Sequence, residues 1–273
     1  LIDNPKYGST AGGLNMWRGY LSEFGFGSRL GIDFANELAG FVPKPEFYDN
    51  IYGERRWKAL TILSMAIGQG ELGTTPLQMA NMATIIANRG FYHTPHIVKS
   101  IDNDSSAIDP AYRNRHEVSV DSSHFEVIIE GMRGVVNGGR SATATWVAIK
   151  DIVMCGKTGT AENPHGPDHS IFVAFAPEEN PEIAIAVYVE NTGFGSTYAA
   201  PVASLMVEKY LKGKIENPWL ESYILNPPEP QPVQNEDMAE ENTGEEAVEE
   251  EKEGENNVEE SGEKSENDKE GRN

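Results

Sequence analysis

Apolar and polar positions alternate along this chain in a few runs long enough to specify elements. Leu77, Met79, Ala80, Met82, Ala83, Ile85 and Ile86 recur at helical spacing and give a broad apolar face. Thr75-Pro76 in front of them supplies a capping hydroxyl and a proline at the first helical position, and Asn88-Arg89-Gly90 closes the run. Residues 125–136 predict a second helix that stops at Asn137-Gly138-Gly139, and residues 199–211 a third with Pro201 close to its start. Residues 171–176 and 183–189 are short apolar runs of strand type, joined by a turn from Pro177 to Pro181. Val147-Ala148-Ile149 and residues 152–155 read as strand segments leading towards Lys157. The pattern therefore predicts an antiparallel meander of three strands followed by a helix. Gly68-Gln69-Gly70 reads as a tight backbone turn, and Phe24-Gly25-Phe26-Gly27 as packing and turn chemistry.

Chemistry concentrates where the first of those strands ends, in Cys155-Gly156-Lys157-Thr158-Gly159-Thr160-Ala161-Glu162. An enzyme that cuts an acyl group beside a free carboxylate has to hold that carboxylate, and a lysine next to threonine hydroxyls brings one cation and short donors to one place. Gly159 keeps the strand edge bare, so that a substrate backbone can lie against residues 157–160 as an added strand. Backbone N–H groups at such an edge also suit a developing oxyanion.

Further blocks lie upstream: Phe24-Gly25-Phe26-Gly27, Gly31-Ile32-Asp33, Gly40, Pro43, Ile67-Gly68-Gln69-Gly70-Glu71, Thr75-Pro76-Leu77-Gln78-Met79-Ala80, Ile86-Ala87-Asn88-Arg89-Gly90 and Pro95-His96. In words, order and spacing, over residues 19–211, the chain resembles the transpeptidase domain of class B penicillin-binding proteins, most closely the elongation-type penicillin-binding protein 2. The resemblance implies an α+β fold of the penicillin-binding protein transpeptidase and serine β-lactamase-like kind, present here incompletely as its last three antiparallel sheet strands plus helices. The other two strands of the family's five-stranded sheet precede the nucleophile, so an exposed face and edge are expected. It implies a serine D,D-transpeptidase that cross-links peptidoglycan stem peptides during cell elongation and is acylated by β-lactams. Lys157, Thr158 and Thr160 would recognise the substrate carboxylate or take part in proton transfer, with Gly159 in the same catalytic triplet and the Thr160 N–H as an oxyanion donor. The implied partners are stem peptides, β-lactams and the elongation-complex glycosyltransferase. The implied location is the periplasmic face of the bacterial inner membrane. Two alternatives stand beside this reading. A serine β-lactamase-like hydrolase would release its acyl group rapidly where a penicillin-binding protein holds it. A noncatalytic binding module would act through an acidic tail.

Departures from the family pattern shape the remaining expectations. Such enzymes use Lys-Thr-Gly with a Ser-x-x-Lys nucleophile and a Ser-x-Asn motif upstream. Ser261-Gly262-Glu263-Lys264 and Ser265-Glu266-Asn267 satisfy both formally, yet they follow Lys157 and sit in a charged low-complexity run with no apolar helix to hold lysine against serine. Ser100-Ile101-Asp102 and Ser119-Val120-Asp121 also follow the Thr75 helix and read as loop or capping residues. The chain is accordingly expected to be a fragment, residues 1–226 being the C-terminal portion of a transpeptidase domain, without its nucleophile or membrane anchor and inactive alone.

Composition adds the tail. From Glu229 onward there are 18 acidic and 4 basic residues and no aromatic one, carrying 14 of the chain's 21 net negative charges. Residues 227–273, opened by Pro227-Pro228, Pro230 and Pro232, are expected to be a disordered acidic segment. The remaining −7 gives no nucleic-acid footprint. One cysteine, Cys155, excludes an internal disulfide and reads as a buried core thiol. His165 to His169 holds possible metal ligands at close spacing, but between two strands and without an apolar shell it reads as a loop bordering the cleft. No metal or cofactor is expected.

Overall fold

The computed structural model describes residues 2–139 and 142–227. A three-stranded antiparallel sheet in the order β3-β4-β5 carries the C-terminal part: β3 (Cys155–Ala161), β4 (His169–Ala176) and β5 (Ile183–Val189). The turn from Pro177 to Pro181 is closed by Glu182 N–H donating to the Ala176 carbonyl at 2.9 Å, with Asn180 at a φ of 53°. Side chains alternate across the sheet, and each face buries a different cluster. Phe172, Ala174 and Ala176 pack with Ala199, Ala200, Ala203 and Val207 of helix α5 (Ala199–Lys212). Cys155 and Phe175 face the other way, into Ile85 of helix α3 (Pro76–Ala87) and Phe125, Ile129 and Met132 of helix α4 (Ser122–Asn137). Phe172 and Phe175 are fully buried, each contributing about 2–3 kcal/mol of apolar transfer.

The predicted helices form for the expected local reasons. Thr75 caps α3 through a reciprocal pair: its hydroxyl accepts from Gln78 N–H at 3.2 Å, while Gln78 Oε1 accepts from Thr75 N–H at 3.1 Å. Asp121 caps α4, its carboxylate accepting the Ser123 N–H at 2.9 Å and hydroxyl at 2.6 Å, so Ser119-Val120-Asp121 is capping chemistry as expected.

One strand expectation is corrected. Val147 ends a short 3-10 turn (Thr145–Val147), and Ile149 and Ile152 face each other across an isolated bridge, so the chain reverses before the sheet begins at Cys155. Asp151 at a φ of 62° makes that reversal possible, a conformation Asp tolerates better than branched residues do.

Upstream, helices α1 (Thr10–Glu23) and α2 (Pro45–Tyr52) and a 3-10 segment (Ala59–Ile67) enclose a separate core of Leu14, Tyr48, Trp57, Ile62 and Met65. The sequence blocks noted above are tied to one another here. Glu71, after the Gly68 and Gly70 turn with φ of 79° and 70°, accepts from the buried Tyr48 hydroxyl at 3.0 Å. Asp33 accepts from the N–H groups of Ile97 and Val98, both at 2.8 Å, joining Gly31-Ile32-Asp33 to the segment after Pro95-His96. Gln78 binds the carbonyls of Gly25, Ser28 and Ala39. A two-stranded ribbon that the sequence pattern did not suggest, β1 (Phe91–His93) with β2 (Arg115–Glu117), follows α3. The expected acidic tail, with Ser261 and Ser265, lies outside the described residues from residue 228 onward.

Candidate active site

Strand β3 is an edge. Among the described residues it pairs only with β4, in the register Lys157↔Val173, Thr158↔Phe172, Gly159↔Ile171 and Thr160↔Ser170. Its start is fixed from both sides: Met154 carbonyl accepts from Asn137 Nδ2 at 2.9 Å, and the Val153 carbonyl accepts from Glu178 N–H at 2.8 Å. Cys155 is fully buried, and burial, reinforced by the Glu178 charge, pushes its thiol up to about 12. At neutral pH it is a protonated core side chain, as the sequence suggests, and no nucleophile.

From Lys157 onward the strand emerges. Lys157 is exposed, and Thr158, Gly159 and Thr160 are half-buried. Lys157 Nζ donates to the Thr158 carbonyl at 2.7 Å. That carbonyl thus has its face towards the open edge, and because alternate strand residues share an edge, the Thr160 N–H faces the same way. Thr158 lies opposite Phe172, so the two threonines project on the α5 side of the sheet, and Lys157 and Gly159 on the α3 and α4 side with Cys155. One short edge therefore offers an ammonium, two hydroxyls and outward backbone groups. These are the donors that a carboxylate and an added backbone need.

The loop after β3 is organised by its own polar side chains. Asp168 accepts from Asn163 N–H at 3.2 Å, Asn163 Nδ2 donates to Asn191 Oδ1 at 2.6 Å, and His169 Nδ1 accepts from Asn191 N–H at 3.1 Å. His165, Asp168 and His169 are not brought together as a ligand set among the described residues.

Two residues that sequence reasoning passed over stand beside the strand. Ser170 is fully buried, the one buried polar side chain of β4, and Gly195 in the β5–α5 connection packs on the backbone of Gly159. A serine within the run from 169 to 176, and a second glycine two residues after Gly193, were the available signals.

Comparison with known proteins adds to this geometry. Residues 9–208 match the family described as the penicillin binding protein transpeptidase domain. The chain is 32% identical over 231 residues to the peptidoglycan D,D-transpeptidase MrdA of Haemophilus influenzae, covering 77% of this chain and 34% of that protein. Its fold is similar to Pseudomonas aeruginosa PBP2, solved in complex with WCK 5153, at a TM-score of 0.64 and 33% identity, covering 76% of this chain and 45% of that one. It is also similar to Helicobacter pylori PBP2, solved in complex with MreC, at a TM-score of 0.60 and 28% identity, covering 75% and 36%. The chain spans about a third of the length of the curated relatives it matches.

Proposed function

From the premise that this chain belongs to the penicillin-binding protein transpeptidase-domain family, we propose that it supplies the substrate-binding strand of a serine D,D-transpeptidase that cross-links peptidoglycan stem peptides. The observation that carries this reading is the Lys157-Thr158-Gly159-Thr160 run on a strand whose outer edge has no partner among the described residues. A peptide ending in a carboxylate adds to that edge. Lys157 and the threonine hydroxyls hold the carboxylate, the Thr158 carbonyl accepts a substrate N–H, and the Thr160 N–H stabilises the oxyanion as the acyl bond breaks.

The serine nucleophile and its lysine base are not among these groups. The sequence carries Ser-x-x-Lys only at Ser261 to Lys264, so the reaction requires a segment beyond it. A β-lactam is the natural acylating probe, since it presents a reactive acyl bond beside a carboxylate. By family resemblance the whole enzyme works at the periplasmic face of the inner membrane with a glycosyltransferase; the MreC complex of the H. pylori relative supports assembly with a protein partner, without identifying it as a glycosyltransferase. No helix among the described residues is long and apolar enough to cross a membrane.

The test uses a fluorescent penicillin. The 273-residue chain should remain unlabelled on denaturing electrophoresis, and the same chain joined to its upstream Ser-x-x-Lys segment should form a stable adduct. In that longer protein, Lys157→Ala should lower the second-order acylation rate by about 100-fold, the scale of one lost charge-assisted contact, without lowering Tm. Wild-type acylation in a folded Lys157→Ala variant refutes the assignment.

A further inference from the structure

The connection from β5 to α5 crosses the α5 face of the sheet and is pinned to β4. The Ser170 hydroxyl donates to the Phe194 carbonyl at 2.9 Å and accepts the Ala199 N–H at 3.0 Å. Thr192 and Gly193 N–H donate to the Asp168 carbonyl at 3.0 and 2.8 Å, and Ala200 N–H donates to the Gly195 carbonyl at 3.0 Å. Between these anchors Gly195 is pressed on the strand pair. A Cβ at residue 195 would lie 2.3 Å from the Ile171 carbonyl oxygen, 2.4 Å from that of Gly159 and 2.9 Å from Gly159 N, all below the 3.0 Å that real Cβ atoms keep. Gly195 is not among the residues of positive φ, so the requirement is for space and not for a left-handed backbone. Gly159 and Ile171 are opposite one another in the ladder, so the contact falls on the central residue of Thr158-Gly159-Thr160.

Among the described residues no strand lies beyond the outer edge of β3, so its height above the sheet is set by β4 on one side and by this connection from one face. We propose that residues 194–199 form a backstop for the substrate-binding strand, with Gly195 and Ser170 as positioning residues that fix the aim of the Thr158 and Thr160 edge groups at a carboxylate-bearing acyl peptide. The proposal rests on β3 being the substrate-binding strand. Restoring ordinary contact with a methyl at residue 195 requires the Gly159 backbone to move by about 1 Å, and a displacement of that size at a reacting centre costs on the order of 100-fold in rate.

The experiment has two parts, which separate this proposal from the reading beneath it. In the 273-residue chain, amide resonances and hydrogen exchange of residues 157–161 are compared for wild type, Gly195→Ala, Ser170→Ala and Gly131→Ala. The first two should shift these amides and speed their exchange at least about tenfold. Gly131→Ala, at an exposed residue of α4 without positive φ and with nothing within 4 Å of an added Cβ, should leave them in place. In the longer protein carrying Ser-x-x-Lys, acylation by fluorescent penicillin should fall about 10- to 100-fold for Gly195→Ala and less for Ser170→Ala, with the loss in the acylation step and not in preceding binding. Unmoved β3 amides in both variants overturn the proposal, and so do moved amides with acylation within twofold of wild type. If Gly195→Ala does not fold, Ser170→Ala, which adds no bulk, decides by the same criteria. A wild-type protein that is never acylated, with β3 amides still displaced by Gly195→Ala, sinks the substrate reading and the positioning role with it, while the steric coupling stands.

Discussion

Replacing Gln78 by alanine tests how the upstream blocks hold together. Gln78 is 1% exposed, and its amide nitrogen lies 3.0 Å from the carbonyls of Gly25 and Ser28 and 2.9 Å from that of Ala39, residues 53, 50 and 39 positions away. An amide nitrogen has two hydrogens, so three carbonyls share two donations. In Gln78→Ala the exposed Ser28 carbonyl recovers a bond from water; the buried Gly25 carbonyl, the half-buried Ala39 carbonyl and Thr75 N–H lose their partner. At about 1–3 kcal/mol for each buried group left unpaired, discounted for partial hydration of the last two, the cost is roughly 3–4 kcal/mol. For a folded part of this size that is a fall of about 6–15 °C in Tm. Gln78→Met retains most of the volume and supplies no donor, so it should regain packing yet remain at least about 2 kcal/mol below wild type. Urea unfolding followed by tryptophan fluorescence measures both, with Trp57, 4% exposed in the neighbouring core, as a reporter. If both variants lie within about 0.5 kcal/mol of wild type, Gln78 is not the tie between these loops, and the account of Phe24-Gly25-Phe26-Gly27 as scaffold fails.

Thr75→Ala removes the hydroxyl half of the α3 cap and should cost about 1 kcal/mol in the same urea assay, with Thr75→Ser close to wild type. The Ser123 hydroxyl, then its N–H, hold the Asp121 carboxyl below its ordinary 3.8. A depressed folded value means that the cap's stabilisation is present above the ordinary carboxylate value and is lost as pH falls through the folded one, so Asp121→Asn should flatten the acid limb of a Tm-against-pH curve below pH 4; an unchanged limb would remove Asp121 from acid unfolding. Cys155 should resist iodoacetamide at pH 8 in the native protein and react promptly in urea; fast stoichiometric alkylation of the native chain would contradict its burial.

Periodicity and capping made α3, α4, α5, β4 and β5 legible, because each is specified by residues close in sequence. Residues 147–155 misled for a physical reason: apolar side chains bury equally well from a strand or from a tight reversal, and the decisive feature was the left-handed backbone at Asp151. The Lys157 to Thr160 run was readable as chemistry, and the open edge that gives it meaning follows from the strand order. Gln78, Ser170 and Gly195 were not readable as they act, since each works on backbone tens of residues away. The motifs that identify the family are in large part ties between loops, as Asp33, Glu71 and Gln78 show.

The sheet's two edges, unpaired among the described residues, differ in how they meet other copies of the chain. At β3 the Lys157 ammonium lies across the edge carbonyl of Thr158, so a passing strand must displace a cation before it can bond there. Strand β5 reads Ile183-Ala184-Ile185-Ala186-Val187-Tyr188-Val189, with no charge or proline inside it and a glutamate at either end, Glu182 and Glu190. These two carboxylates act as gatekeepers by repulsion between copies, a force that weakens as the Debye length shrinks from about 10 Å at 0.1 M salt to about 3 Å at 1 M. Self-association of this chain should therefore run through β5 and increase with ionic strength, leaving the β3 edge free.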